Sequence, residues 1–141
     1  MNLEAYIKFV LFARAHPEIY DRLVSFLRRL KDKGWTHYSV KTCWDVLRFN
    51  IAIEHGPDDT YKLNDLYQSF YARLIFALCP DLRGFYEMRE KQVLGPNDLS
   101  TAEVFRRLNQ DFATGYLPDE PVVFPVTVPY DDDPTAGEDC F

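Results

Sequence analysis

Three histidines, three cysteines and 22 carboxylates are the groups from which this chain would build a reactive centre. A tetrahedral metal site uses His and Cys at close spacing, on one helix turn or in a Cys-x-x-Cys frame. His16, His37 and His55 include no i, i+4 pair, and Cys43, Cys79 and Cys140 stand far apart. His37, Cys43 and His55 would converge around one helix, but Cys43 belongs to that helix's apolar sector, so satisfied or surface histidines are the favoured reading. Nucleophilic catalysis needs a Ser or Cys beside an oriented base. There is no Gly-x-Ser-x-Gly, and Ser25, Ser39, Ser69 and Ser100 fall on helix surfaces or at caps. The six glycines are scattered and most mark ends and turns, so no phosphate-cradling loop is spelled out. Paired carboxylates divide acid and base roles only when their environments differ. Asp131-Asp132-Asp133 are chain neighbours, and nothing in the spacing of Asp45, Asp65 and Glu87 singles them out. The expectation is a protein with no catalytic residue, no metal and no cofactor, working by binding.

Charge says where binding would occur. All 16 Lys and Arg lie within residues 1–107, against 14 Asp and Glu, a net of +2. Residues 108–141 carry no base and eight acids, Asp111, Asp119, Glu120, Asp131, Asp132, Asp133, Glu138 and Asp139, a net of −8. The −6 total therefore joins a mildly basic body to an acidic extension, a polarity that speaks of charged partners rather than of fold. Aromatics are 16% of the chain, enough for a core with some left for an interface.

At 141 residues one domain is expected. Leu3, Tyr6, Ile7, Val10 and Leu11 predict a helix over 3–15, and Pro17 with Glu18 opens a second, whose apolar face is Ile19, Leu23, Phe26, Leu27 and Leu30. Arg22, Arg28, Arg29, Lys31 and Lys33 take its other side, and Gly34 stops it. Trp35 to Tyr38 alternates like a brief strand; Ser39 caps a helix to about Glu54. There Val40, Trp44, Leu47 and Ile51 form one stripe that Cys43, Val46, Phe49 and Ile53 widen, predicting the central helix of the core. A third long helix is expected from Leu66 to Leu78, capped by Asn64 or Asp65, then a short one from Pro80 toward Arg89. Ser100-Thr101-Ala102-Glu103 has capping-box spacing and predicts a helix to about Phe112. The fold class is thus mainly α, a single compact helical domain of five to six helices over 1–114, winged-helix-like if Tyr61–Leu63 forms a hairpin-like element. Residues 115–141 are expected to form an extended, Pro-rich strap and acidic tail. Within it Val122, Phe124, Val126, Val128 and Tyr130 share one face of an extended chain, with Pro121, Pro125 and Pro129 on alternate positions.

Two sets of binding residues follow. The tail offers Asp119, Glu120, Asp131, Asp132, Asp133, Glu138, Asp139 and Phe141 to a basic protein partner. The body offers Lys41, Arg48, Lys62, Asn64, Arg73 and Arg89 as candidate nucleic-acid contacts, although such a basic strip is more often a solvated face paired with nearby acids.

The skeleton Trp44-Asp45-Val46-Leu47-Arg48, Lys62-Leu63-Asn64, Tyr71-Ala72-Arg73-Leu74, Pro80-Asp81-Leu82 and Phe85 to Arg89 resembles small uncharacterised proteins encoded by phages and prophages. It covers about a third of the chain, Tyr38 to Arg89, and implies a phage context without an activity. The ending Glu138-Asp139-Cys140-Phe141, with Asp131-Asp132-Asp133-Pro134 upstream, resembles the acidic, Phe-ended tips of single-stranded DNA-binding proteins. Those tips dock on replication and repair enzymes; here Cys140 replaces the Pro that precedes their Phe.

Two functions remain in view. One is a non-catalytic phage-type protein that binds nucleic-acid-metabolism or host-defence machinery through protein–protein contacts, as an inhibitor or DNA-mimic-like regulator. The alternative is a direct nucleic-acid-binding regulator with an autoinhibitory acidic tail. The Met1-Asn2-Leu3-Glu4 start without a basic lead-in, the lack of a membrane-length apolar run and the unpaired cysteines predict a cytoplasmic protein of a bacterial host cell.

Overall fold

A computed structural model describes residues 1–57, 61–88 and 94–117. The expected strap at 120–130, all eight tail contact residues from Asp119 to Phe141, Cys140 and Arg89 lie outside the described residues. The described chain is mainly helical: α1 (Leu3–Ala15), α2 (Pro17–Asp32), α3 (Val40–His55), α4 (Leu66–Leu78), a 3-10 turn at Pro80–Leu82, and α5 (Thr101–Phe112).

Local chemistry sets the ends. Asn2 accepts from the Ala5 amide at 3.1 Å to start α1. Pro17, at the first turn of α2, lets His16 close one helix and precede the next. The chain turns after α2 at Gly34, whose φ of +104° suits a residue without Cβ. Ser39 accepts from the Thr42 amide at 3.2 Å, and Ser100 from the Glu103 amide at 3.2 Å, so both expected caps form. At α4 the Asn64 side chain accepts from the Leu66 amide at 2.9 Å, whereas Asp65 makes no such cap bond.

Packing departs from expectation at the centre. Every residue of α4 from Phe70 to Ala77 is buried, and α4 packs against α1, α3, α5 and the 3-10 turn. It is the helix on which α1, α3 and α5 pack. Alanines at 72 and 77 leave room for close neighbours, and aromatic rings fill the larger gaps. Phe9 lies 5.3 Å from Phe70 and 4.9 Å from Tyr71, and Tyr71 lies 5.4 Å from Trp44, centroid to centroid. Helix α3 lies to one side and forms a pair with α2. It buries Val40, Cys43, Trp44, Leu47 and Ile51, while Val46, Phe49 and Ile53, expected to widen its core face, are exposed.

Other corrections concern extended structure. No strand forms among the described residues, which hold only an isolated bridge between Asn2 and Asp98. Trp35–Tyr38 is irregular, and Tyr61–Leu63 makes no hairpin arm. Leu63 turns into the core instead, and the Tyr38 amide is taken by the Phe85 carbonyl at 2.9 Å. Asp111, counted above with the acidic extension, belongs to the body. It accepts from Tyr6 Oη at 2.6 Å, and its carbonyl accepts from Arg14 at 2.9 Å, tying α5 to α1. Packing continues to Tyr116, whose ring lies 4.9 Å from that of Phe105 and 5.7 Å from that of Phe76.

Trp44 is fully buried between α3 and α4. Trp44→Ala is expected to cost about 3–5 kcal/mol, the range for deleting a large core ring. Urea unfolding of the full chain reads it; a loss of less than about 1 kcal/mol would place Trp44 outside the cooperative core.

Candidate protein interface

Helix α3 has an apolar sector wider than its core contact requires. Val40, Cys43, Trp44, Leu47 and Ile51 face inward. At 100° per residue, Val46, Phe49 and Ile53 fall on the opposite side as an i, i+3, i+7 stripe. They are 48%, 64% and 68% exposed. The stripe is about 10 Å long, from seven residues at 1.5 Å each. Single exposed apolar residues are ordinary, but an aligned row of three on one helix is a patch.

The stripe opens into a groove. The C-terminal half of α2 and the N-terminal half of α3 bound a cavity of about 560 Å³, lined by Phe26, Leu30, Tyr38, Thr42, Cys43 and Val46. Val46 belongs to both groove and stripe, which makes them one continuous face. Arg29, Asp32 and Lys33 form its polar rim. Arg29 and Lys33 have no ion-pair partner among the described residues. Exposed Trp35 packs edge-on against Tyr38 at 5.3 Å, flanking one end.

Several of the other cations are engaged. Lys41 pairs with Asp45 at 3.0 Å, and Arg48 with Asp65 at 2.6 Å and Asp45 at 3.4 Å. Asn64 is spent on the α4 cap. Arg73 is 2% exposed inside α4 and donates to the Ser69 carbonyl at 3.1 Å, so it presents no surface charge, and Asp65 is held by Arg48 instead. Lys62 is exposed. The structure thus brings Lys41 and Arg48 together around Asp45, while Arg89 lies outside the described residues. Arg22 with Glu54 at 2.8 Å and Arg28 with Asp81 at 3.2 Å account for two more cations of α2.

Burial pushes the Cys43 thiol up to about 11, which keeps it protonated and a poor nucleophile at neutral pH. His37 lies 4.0 Å from Glu87. Among the described residues no group of three or more His, Cys, Asp or Glu is placed to hold a metal ion. One polar cluster went unseen in the sequence, because its members are far apart in the chain. Tyr61 donates to Glu18 Oε1 at 2.6 Å, His16 Nδ1 lies 3.6 Å from the same oxygen, and the Tyr61 ring stacks on His55 at 3.9 Å and lies 4.4 Å from His16. These contacts tie the α1–α2 junction to the end of α3. No helix among the described residues is long and apolar enough to cross a membrane.

Comparison of the chain with protein-family models, with curated proteins and with solved structures finds no match.

Two outcomes check these assignments. Phe49→Asp and Ile53→Asp are expected to shift unfolding free energy by no more than about 0.5 kcal/mol each, as for surface positions. A loss of several kcal/mol in thermal or urea unfolding would mean that the stripe is packed. The Tyr61 hydroxyl bond holds the Glu18 carboxyl below its usual range. The stability it lends is full above about pH 4.3 and is lost as pH falls through the depressed folded value. Glu18 is half-exposed, so that contribution stays below about 1 kcal/mol. Tyr61→Phe should move the Glu18 titration upward in a carbon-detected NMR series; an unchanged midpoint would contradict the assignment.

Proposed function

We propose that this chain is a non-catalytic binding protein that acts through protein–protein contacts made by the outer face of α3 and the adjoining groove. The observation that carries the proposal is the aligned exposure of Val46, Phe49 and Ile53 on a helix whose opposite side is fully committed to the core. Burying such side chains against a partner contributes roughly 1.5–3 kcal/mol each when complete, enough for a small hot spot. Direct nucleic-acid binding draws less support. Lys41 and Arg48 are paired with Asp45 and Asp65, and Arg73 is buried, so three of the five candidate cations are already engaged.

The target class we infer is nucleic-acid-processing or host-defence machinery, met in the cytoplasm of a bacterial host, with the chain as inhibitor or DNA-mimic-like regulator. Its support is the phage-like skeleton from Tyr38 to Arg89 and the acidic extension. Asp119, Glu120, Asp131, Asp132, Asp133, Glu138 and Asp139 supply charge suited to a groove built for phosphates, and Phe141 an apolar tip. Two sets of contacts would then act together, the stripe supplying apolar anchorage and the acids orientation and rate.

The test is affinity capture from phage-infected bacterial cells with full-length bait, in wild-type form and as Phe49→Asp/Ile53→Asp. The expected result is a nucleic-acid-processing or defence protein held by the wild type and weakened at least about tenfold, roughly 1.4 kcal/mol, by the double variant. Equal capture by both forms, or tight and steeply salt-dependent binding of duplex DNA by the wild type, would overturn the proposal.

A further inference from the structure

The two helices that bound the groove run antiparallel. Arg22, early in α2, forks onto Glu54 at the far end of α3 at 2.9 and 2.8 Å, while Leu30, late in α2, and Thr42, early in α3, line the same cavity. We propose that the seat they form takes an amphipathic α-helix of a partner protein. That helix is about 12 residues long, lays apolar side chains at i, i+3 or i+4, and i+7 into the seat, and aims two carboxylates one turn apart at Arg29 and Lys33. This rests on the protein-binding reading above and names the element of the partner that is recognised.

The spacing of the outer row on α3 selects a helix. Thr42, Val46, Phe49 and Ile53 follow one another at intervals of four, three and four residues, and lie within about 60° of arc at 100° per residue. That is the repeat of a helix–helix seam, narrower than the face a helix usually gives to its own core. Val46 and Ile53 are β-branched, so they have little rotamer freedom to lose on docking. The other wall repeats the pattern, since Phe26, Leu30 and Lys33 on α2 are spaced by four and three, and Phe26 and Leu30 are only half-buried. A helix laid over both rows interdigitates with each, as the third member of a small bundle.

Dimensions favour the same occupant. From Thr42 to Glu54 the seat is about 18 Å long, at 1.5 Å per residue, which is a little over three turns. The Arg22–Glu54 pair closes one end, and exposed Trp35, edge-on to Tyr38, flanks the other. A compact ligand held in the 560 Å³ recess would cover Val46 and leave Phe49 and Ile53 bare. An extended peptide gains affinity by pairing with an open strand edge, and no strand forms among the described residues. A helix satisfies its own backbone and covers recess and row together.

Charge then narrows the sequence of the helix. Arg29 and Lys33 are exposed at the rim, and neither has an ion-pair partner among the described residues. Four residues separate them, about 6 Å along α2, the spacing at which acids at i and i+4 stand on a facing helix. The cations elsewhere on α2, Arg22 and Arg28, are already held by Glu54 and Asp81. Asp32 also lines the groove, so two cations against one carboxylate leave the rim positive. Flanking pairs of this kind set register and partner choice more than strength.

The experiment pans the full chain against a yeast-displayed library of alanine-rich helical peptides randomised along one face. Enriched peptides are expected to carry apolar residues at i, i+3 or i+4, and i+7, with an Asp or Glu pair one turn apart. They should shift the amide signals of Leu30, Thr42, Val46 and Phe49, and bind Arg29→Glu/Lys33→Glu at least about tenfold more weakly. Lysines in place of the peptide's acids should restore binding to that variant, which separates a lost charge contact from a lost fold. Failure to enrich any helix, enrichment only of helices that shift signals on other surfaces, or equal affinity for the wild type and Arg29→Glu/Lys33→Glu would each overturn the inference. So would shifts of the same amides on concentrating the protein alone, which would identify a second copy as the occupant. The two proposals fail separately. Capture lost in Phe49→Asp/Ile53→Asp with no helix enriched removes only the helical occupant; helices seated on this face with capture unaffected by that variant remove the reading of the face as the site of cellular binding.

Discussion

A helix buried from Phe70 to Ala77 needs neighbours on all sides, and that demand organises the body. Helices α1, α3 and α5 and the turn at Pro80–Leu82 meet it, each by lending one face to α4. A helix that lends one face keeps another for water. On α2 and α5 that other face is charged and polar, as burial rules lead one to expect. On α3 it carries Val46, Phe49 and Ile53. The surplus cannot be assigned to the core, since Val40, Trp44, Leu47 and Ile51 already fill that side. An apolar face that folding does not use is the physical basis for reading this protein as one that binds another.

Electrostatics point the same way. The body's cations are largely used within the body: Arg14 with Asp111, Arg22 with Glu54, Arg28 with Asp81, Lys41 with Asp45, Arg48 with Asp45 and Asp65. These are surface pairs, each of small energetic worth, yet together they leave no continuous basic strip along α3. Arg29 and Lys33 are the cations that adjoin the apolar groove and lack an ion-pair partner among the described residues. The charge division seen in composition is thus resolved into a body whose cations are partly paired, with a positive rim at the groove, followed in sequence by the acidic residues beyond Leu117.

Much of the fold was legible in the residues. Pro17, Ser39 and Ser100 mark helix starts because they act through neighbouring backbone groups, and their meaning survives any tertiary context. The rank of the helices was not legible. The apolar sector of α3 is as wide as that of a central helix, and width alone does not separate burial in one's own core from burial against a partner. Only the placement of α4, with its small Ala72 and Ala77 admitting neighbours on every side, decides between them. Tyr61 illustrates the opposite limit. Its hydroxyl bond to Glu18 joins residues 43 apart in sequence, so no local pattern announces it, and the same segment was read as an extended arm. The groove likewise escapes sequence reading, since Phe26 and Leu30 look like ordinary core positions until the gap beside Cys43 and Val46 is seen.

The claim on which everything turns is that the outer side of α3 is where a partner sits. Side-chain footprinting of the purified protein, alone and saturated with its captured partner, measures this directly. Phe49 and Ile53 should react readily in the free protein and become protected in the complex, with Trp44 silent in both. Protection confined to other surfaces, with Phe49 and Ile53 equally reactive in both states, would contradict the account.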